Sequence, residues 1–282
     1  MLRLRRLGAT KVQIGYQSLS DEVLRLNHRG HDVAATRRAM RLLRQAGFKI
    51  HAHWMPNLYG SSPAQDVEDF RRIFEDPDFR PDELKIYPCS LVETAELMAY
   101  YESGSWRPYS QSELLQVVGD CMLQVPEYCR VTRVVRDIPG TEIVEGSRVT
   151  NLREIVGEEL QSRGLVLRDI RAREIRHRTI DPNELELRRL EYQTSSSREI
   201  FLQYVTASDR IAAFLRLSLP HPNAVHIDEI ASSAMSREVH VYGLLAGIGQ
   251  RQGTRSQHLG LGRQLIETAA AARLTSPRSG CG

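Results

Sequence analysis

The spacing of hydrophobic and polar residues changes along the chain, and its first half alternates short apolar runs with amphipathic stretches. Apolar, β-rich runs predict strands at residues 10–18, 48–56, 83–88 and 129–139. Apolar residues at helical spacing predict helices between them, at residues 31–47, 62–76, 92–104 and 110–126. Strand–helix alternation with short links is typical of right-handed βαβ units, so we expect a parallel sheet. A complete eight-unit barrel takes about 250 residues, so this half fits only the later part of such a barrel.

Residues that commonly start and stop helices lie at the predicted helix ends. Asp32 can cap the first of these helices, and Gly47 can end it in the left-handed conformation. Ser62 can cap the second helix. Asn151 is expected to cap a further helix over residues 151–164.

After about residue 180 the pattern changes to consecutive strands. Runs joined by short polar turns predict an antiparallel sheet from residues 185–194, 199–206, 210–220 and 235–245. We therefore predict three segments. They are a partial barrel at residues 1–140, a linker helix with an arginine-rich stretch at residues 141–180, and a second domain at residues 181–282.

The composition of the 282 residues is that of an ordinary globular protein, with 41% hydrophobic and 26% charged residues. No apolar run approaches the roughly 20 residues that span a bilayer, and the basic N-terminus lacks the apolar segment of a secretory signal. We therefore expect a cytoplasmic location and no membrane contact. The four cysteines, Cys89, Cys121, Cys129 and Cys281, are not spaced like metal ligands, so we predict reduced thiols and no metal site.

Arginine supplies almost all of the positive charge, because only Lys11, Lys49 and Lys85 are lysines. The net charge of +3 says little about partners, but arginine clusters resemble nucleic-acid contacts. A solvated surface paired with Asp and Glu is the alternative. The clustered arginines include Arg130, Arg133, Arg136, Arg168, Arg171 and Arg173.

Two glycines, Gly260 and Gly262, lie between the last predicted strand and a helical run. Glycines let the backbone approach a ligand, and the free N–H groups of a first helical turn favour anions such as pyrophosphate. The spacing is neither that of a P-loop nor that of a three-glycine dinucleotide site. A close contact between helix and sheet is the alternative explanation.

The run QHLGLG at residues 257–262, after the strand REVHVYG, resembles the coenzyme A loop of GNAT acetyltransferases. Several longer stretches then narrow the match: ATKVQIGYQSLSDEVLRLNHRGH, GFKIHAHWMPNL, RPDELKIYP, YCRVTRVVRDIP and NLREI. In this order they resemble the catalytic subunit of Elongator and the related tRNA carboxymethyluridine synthases. The resemblance implies an α/β fold: the C-terminal part of a radical-SAM (β/α) partial barrel, followed by an incomplete GNAT-type α+β domain. It also implies acetyl-CoA-dependent carboxymethylation of tRNA at carbon 5 of the wobble uridine (U34), by radical S-adenosylmethionine chemistry.

The resemblance also implies site residues. Acetyl-CoA contacts are expected at Glu238, Val239, His240, Val241, Gly260, Leu261, Gly262 and Arg263. Contacts with tRNA are expected at Arg130, Arg133, Arg136, Arg168, Arg171 and Arg173.

Three departures from the family pattern change the expectation. The three cysteines that hold the family's [4Fe–4S] cluster are absent from this sequence, so we expect no cluster and no cleavage of S-adenosylmethionine by this chain. Leu167, Asp169 and Ala172 occupy the positions of a zinc-binding C-x-C-x-x-C run, so we expect no zinc. The end of the chain, LTSPRSGCG, is unlike a GNAT strand, and we therefore expect an incomplete copy of the family enzyme.

Two other functions use the same residues. A GNAT-type amine (lysine) N-acetyltransferase needs a base for the amine proton, and Glu238 is the only carboxylate that we can place near the thioester. A non-catalytic tRNA-binding remnant is the third possibility. A homodimer or an Elongator-like assembly is expected to provide partners.

Overall fold

Four strands of the first half form one sheet in the computed structural model, which describes residues 1–135, 138–176, 181–222, 224, 227–228, 230, 233–243 and 260–274. The strands are β1 (Lys11–Gln17), β2 (Lys49–Trp54), β3 (Glu83–Ile86) and, after a short β4 (Leu91–Val92), β5 (Arg130–Arg133). Their order is β1-β2-β3-β5, and both the β2–β3 pair and the β3–β5 pair are parallel. The predicted strands and their parallel pairing are thus confirmed. The small antiparallel pair of β4 with β6 (Ile143–Glu145) was not predicted from the sequence.

Helices lie within the ranges that the apolar spacing predicts, although the helix predicted at residues 92–104 covers only Leu97–Glu102. Several short helices were not predicted. The helices are α1 (Leu2–Arg6), α2 (Asp21–Leu26), α3 (Val33–Gln45), α4 (Pro63–Glu75), α5 (Leu97–Glu102), α6 (Gln111–Leu123), α7 (Leu152–Ser162), α8 (Ile170–Arg173) and α9 (Leu261–Leu274), with a 3-10 turn at Pro182–Glu184. No helix in the described part of the chain combines the length and apolar character needed to cross a membrane.

Two of the three predicted N-terminal helix caps form, and the third does not. At the start of α3, Asp32 Oδ1 accepts a hydrogen bond from Ala35 N at 2.6 Å. Gly47, which was predicted to end this helix, has the left-handed φ of +69°. Ser62 accepts from the first turn of α4. Asn151 is the residue before α7, but its side chain makes no capping bond; its φ and ψ of −105° and 30° are not the extended values of a capping residue.

The strand pattern gives the parallel sheet one apolar and one polar face. Tyr16, Ile50, Trp54, Leu84 and Val131 alternate with polar neighbours and are completely buried. This apolar face belongs to the core. The opposite face, described below, is polar.

The second half forms an antiparallel sheet of β7 (Glu186–Gln193), β8 (Ser197–Val205), β9 (Ile211–Pro220) and β10 (Met235–Val241). The order is β10-β9-β8-β7, and every neighbouring pair is antiparallel, as predicted. Helix α9 contacts β8, β9 and β10, and buries Leu261, Leu265, Ala269 and Ala272 along one side.

The chain divides into two compact units. The antiparallel unit comprises Met1–Thr10, Arg41–Lys49 and Ala172–Gly282, and the parallel unit comprises Lys11–Met40 and Ile50–Arg171. The three consecutive segments expected from the sequence remain a prediction.

Candidate functional site

Strand β10 carries four of the expected acetyl-CoA residues and lies at an edge of the antiparallel sheet. Among the described residues it pairs only with β9. Tyr242 N donates to Ala212 O at 2.8 Å, and alternation along an antiparallel pair then directs the N–H groups of Val239 and Val241 to the opposite edge. Such an edge presents backbone donors and acceptors that an extended ligand can pair with.

The start of α9 lies over the same strand. Gly260 has φ +68°, a conformation that glycine adopts without strain, and leads into the helix. A Cβ added to Gly262 would lie 3.5 Å from Val241 and 3.9 Å from Val239, so the first turn packs directly on β10. Arg263 is exposed and pairs with Glu267 at 2.8 Å. Gln257, the first residue of the glycine motif, lies outside the described residues.

A bulge in β10 brings a buried ion pair onto the sheet. The register with β9 shifts between Ser236 and Glu238. Arg237 donates through Nε and Nη2 to Glu199 on β8, at 3.1 and 2.5 Å, and neither side chain is more than 1% exposed. Ser197 and Ser218 also donate to Glu199, each at 2.6 Å. This cluster, the Glu199 network, holds the bulge of β10. No local sequence pattern indicates this network, because Glu199 and Arg237 are distant along the chain.

Glu238 is held between two cations. Lys49 Nζ lies 2.5 Å and Arg216 Nε 2.8 Å from its carboxylate. Burial alone would raise the pKa of Glu238, but the charges of Arg216 and Lys49 outweigh it and hold the pKa below its usual value. A carboxylate with a lowered pKa is a weak base near neutral pH, which does not favour Glu238 as the base of an amine acetyltransferase.

His240 lies on the face of β10 opposite Val239 and Val241. Its exposed ring stacks on Phe214, with ring centroids 5.7 Å apart, and lies 4.3 Å from the ring of Tyr242. The stacking holds the imidazole against the sheet.

The polar face of the parallel sheet is a second candidate site, and the sequence analysis did not identify it. His53 Nε2 and Lys85 Nζ each lie 2.9 Å from Gln13 Oε1. His51 Nε2 lies 2.9 Å from Thr132 Oγ1. Barrel interiors are mostly filled by branched apolar side chains, so a face lined with amides, imidazoles and lysines indicates a surface for a polar ligand.

The pKa of His51 on this face departs strongly from its usual value. Burial lowers its pKa to about 3, against a smaller opposing effect of the Glu83 carboxylate. Glu83 Oε2 lies 3.4 Å from His51 Nδ1 and forms an ion pair with Lys11. His51 is therefore neutral at physiological pH, and its imidazole contacts Thr132 without a charge of its own.

Four of the six expected tRNA-binding arginines lie on or beside β5. Arg130 is half-buried and Arg133 exposed on the strand itself. Arg171 donates through Nη1 to Thr132 O, which places it against the same strand. Arg168 is exposed and pairs with Glu127 at 2.5 Å. We call these four residues the β5 arginine surface.

The other two expected arginines differ from these four. Arg173 is 4% exposed and binds Asp209 at 2.7 Å and Gln203 Oε1 at 3.0 Å, so its guanidinium is part of the antiparallel unit's interior. Arg136 lies outside the described residues.

The described cysteines do not fit an iron–sulfur cluster. Burial raises the pKa of Cys89 to about 12 and that of Cys121 well above its usual value, so both side chains are protonated thiols near neutral pH. No three potential metal ligands come together among the residues that the structure describes. Asp169, at one of the zinc positions of the family pattern, instead accepts from Arg153 at 2.7 Å.

A family model first shows which class of domain part of the chain resembles. Residues 81–162 match the model of the radical-SAM C-terminal domain. This match includes β3, β5 and α7 of the parallel unit.

Individual proteins that resemble the chain define its family more narrowly than the domain model does. The chain is 40% identical over 272 residues to a tRNA uridine(34) acetyltransferase of Dehalococcoides mccartyi, across 95% of this chain and 59% of the relative. It is 35% identical over 267 residues to Elongator complex protein 3 of Homo sapiens, across 93% of this chain and 49% of the relative. The solved structure of Methanocaldococcus infernus Elp3 with an N-terminal deletion matches with a TM-score of 0.86 and 37% identity, across 95% of this chain and 65% of that one.

The chain is therefore a homologue of the tRNA uridine(34) acetyltransferases and of Elongator complex protein 3 over almost its whole length. This confirms the family resemblance and the mixed α/β fold class. The chain spans about half to three fifths of the length of these curated relatives.

Proposed function

We propose that this chain takes part in modification of the wobble uridine of tRNA, with acetyl-CoA as its acyl donor. The observation that carries the proposal is the edge of β10, which faces away from β9 and lies under the glycine-led first turn of α9. The names of the relatives, tRNA uridine(34) acetyltransferase among them, support the substrate.

The residues present fit acetyl-CoA. The outward N–H groups of Val239 and Val241 would pair with the pantetheine arm, and the N–H groups after Gly260 would bind the pyrophosphate. Arg263 would add a positive charge there. When bound, acetyl-CoA supplies an acetyl group as a thioester. The Glu199 network would fix the strand that holds it.

The radical-SAM family implies S-adenosylmethionine and an iron–sulfur cluster. The described cysteines do not fit such a cluster, so we derive no step through it. Carboxymethylation at carbon 5 of U34 is the finer proposal, and it rests on the family resemblance of the sequence motifs.

The β5 arginine surface would bind the tRNA backbone. Arginine contacts with phosphate give an affinity that falls steeply with salt and depends little on sequence. We leave Arg173 out of this surface, because it is buried and paired with Asp209. A homodimer or an Elongator-like assembly remains a prediction.

Titration of acetyl-CoA into the strand variants Val239→Pro and Val239→Ala tests the proposal. Proline removes the outward N–H at this position, whereas alanine trims the side chain and keeps the donor. We expect Val239→Pro to weaken binding at least tenfold and Val239→Ala to bind nearly as the wild type does. Equal affinities of the three proteins would refute pairing of the ligand with β10.

A further inference from the structure

A cavity of about 120 Å³ lies in the parallel unit where the loops after β1, β2 and β3 meet. Its lining includes Leu26, His28, Tyr59, Glu96, Leu97 and Tyr100. Ligands of parallel α/β proteins bind at the carboxyl ends of the strands, and these loops follow those ends. Drug-sized pockets begin at about 300 Å³, so this one has room for a single ring system.

Two tyrosines give the cavity an aromatic wall. The rings of Tyr59 and Tyr100 are stacked, with centroids 4.2 Å apart and an interplanar angle of 25°. Both side chains are half-buried, so each keeps part of its surface open to solvent. Flat aromatic walls of this kind are the platforms on which proteins stack unpaired nucleobases.

The loops around the cavity are held in fixed conformations. Asn27 Nδ2 donates to Val23 O at 2.7 Å and to Tyr59 O at 2.8 Å, which ties the first loop to the second. His28 and Asn57 have positive φ values of 51° and 66°, which residues other than glycine rarely adopt. Strain of this kind is concentrated at ligand-binding sites, where the surrounding structure maintains it.

Hydrogen-bonding groups lie at the rim. His28 Nδ1 lies 2.8 Å from Glu96 Oε2, and the two side chains are 65% and 81% exposed. Carboxylate oxygens accept from the amino and imino groups of bases, whereas a carboxylate would repel a phosphate. The rim therefore suits the edge of a base better than the backbone of a nucleic acid.

We propose that this tyrosine pocket binds one unpaired nucleobase of the RNA substrate, which stacks on Tyr100 and donates a hydrogen bond to Glu96. This inference rests on the proposed function, because it takes tRNA as the substrate. It assigns base recognition to the tyrosine pocket and backbone contact to the β5 arginine surface.

The test uses the full chain and anticodon stem-loop RNAs that carry the fluorescent base 2-aminopurine at one unpaired loop position at a time. Tyr100→Leu removes the ring, and Tyr100→Phe keeps it. Tyr101→Leu is the matched control, since Tyr101 is the next residue of α5 and lies against Trp106 rather than in the cavity. Circular dichroism of each variant verifies that it is folded.

We expect one loop position whose fluorescence changes on binding to the wild type, Tyr100→Phe and Tyr101→Leu, and not on binding to Tyr100→Leu. Affinity should fall roughly 5- to 140-fold in Tyr100→Leu alone. If the wild type binds the RNA and no position reports stacking, or if both leucine variants lose affinity equally, the pocket inference is wrong and the proposed function stands. If the wild type binds no RNA, both are wrong.

Discussion

Replacing Glu199 by glutamine removes one charge from the Glu199 network while nearly keeping the shape of the side chain. The carboxylate is 1% exposed and accepts from Arg237, Ser197 and Ser218, at distances between 2.5 and 3.1 Å. Glutamine keeps one oxygen acceptor but leaves the Arg237 guanidinium buried opposite a neutral group. Removing one partner of a buried ion pair costs about 3–5 kcal/mol, because the remaining charge has lost its counterion.

The free energy of unfolding of Glu199→Gln should therefore fall by about 3–5 kcal/mol. At about 2–4 °C per kcal/mol, the melting temperature should fall by roughly 6–20 °C. Urea denaturation followed by circular dichroism measures the free energy, and a thermal scan measures the melting temperature.

An exposed ion pair provides the matched control. Glu68 is 55% exposed and pairs with Arg71 on the same helix at 2.6 Å. Glu68→Gln should change the free energy of unfolding far less than Glu199→Gln does, because solvent screens this pair. The double variant Glu199→Leu with Arg237→Met, which removes both charges, should recover most of the lost stability. A loss in Glu199→Gln no greater than in Glu68→Gln would refute the reasoning.

Three further predictions concern the glycine turn, the polar sheet face and the arginine surface. Gly260→Ala should lower the free energy of unfolding by about 1 kcal/mol, because a φ of +68° strains any residue with a Cβ. Gly262→Ala should leave the stability almost unchanged, because its Cβ would meet its neighbours at ordinary contact distance. Thermal unfolding compares the two variants. The pKa of His51 is about 3 in the folded chain and about 6.5 in the unfolded chain, so only the unfolded state gains this proton as the pH falls below 6.5. The free energy of unfolding of the wild type should therefore fall there by up to about 1.4 kcal/mol per pH unit more than that of His51→Gln. Urea titrations at pH 7 and pH 5 measure the difference. Arg168→Ala should lower the salt dependence of tRNA binding by about one unit of log–log slope. The same change at the exposed Arg163, directly after α7, should leave the slope unchanged, and equal slopes for both variants would remove Arg168 from the surface.

Local signals predicted most of the elements. The Ser62 cap and Pro63 mark the start of α4 because both act within one helical turn. Asn151 failed as a cap because a residue type does not fix φ and ψ: its backbone is outside the extended region that directs a cap side chain at the first turn.

The parts that the sequence did not reveal depend on contacts between distant residues. The alternation of His51 and His53 with Ile50, Ala52 and Trp54 contained a sign of a polar face, but only strand pairing shows that Gln13, Lys85 and Thr132 share it. The bulge at Arg237 has no local signal, because it becomes visible only in the register with β9.

Calorimetric titration of the full chain with acetyl-CoA and, separately, with desulfo-CoA tests the coenzyme A site. Desulfo-CoA keeps the pyrophosphate and lacks the thioester. We predict that both ligands bind and that Gly260→Ala weakens the binding of both, because the turn before α9 presents the pyrophosphate site. Failure of both ligands to bind would contradict an acetyl-CoA site on β10 and α9, and would favour a tRNA-binding remnant.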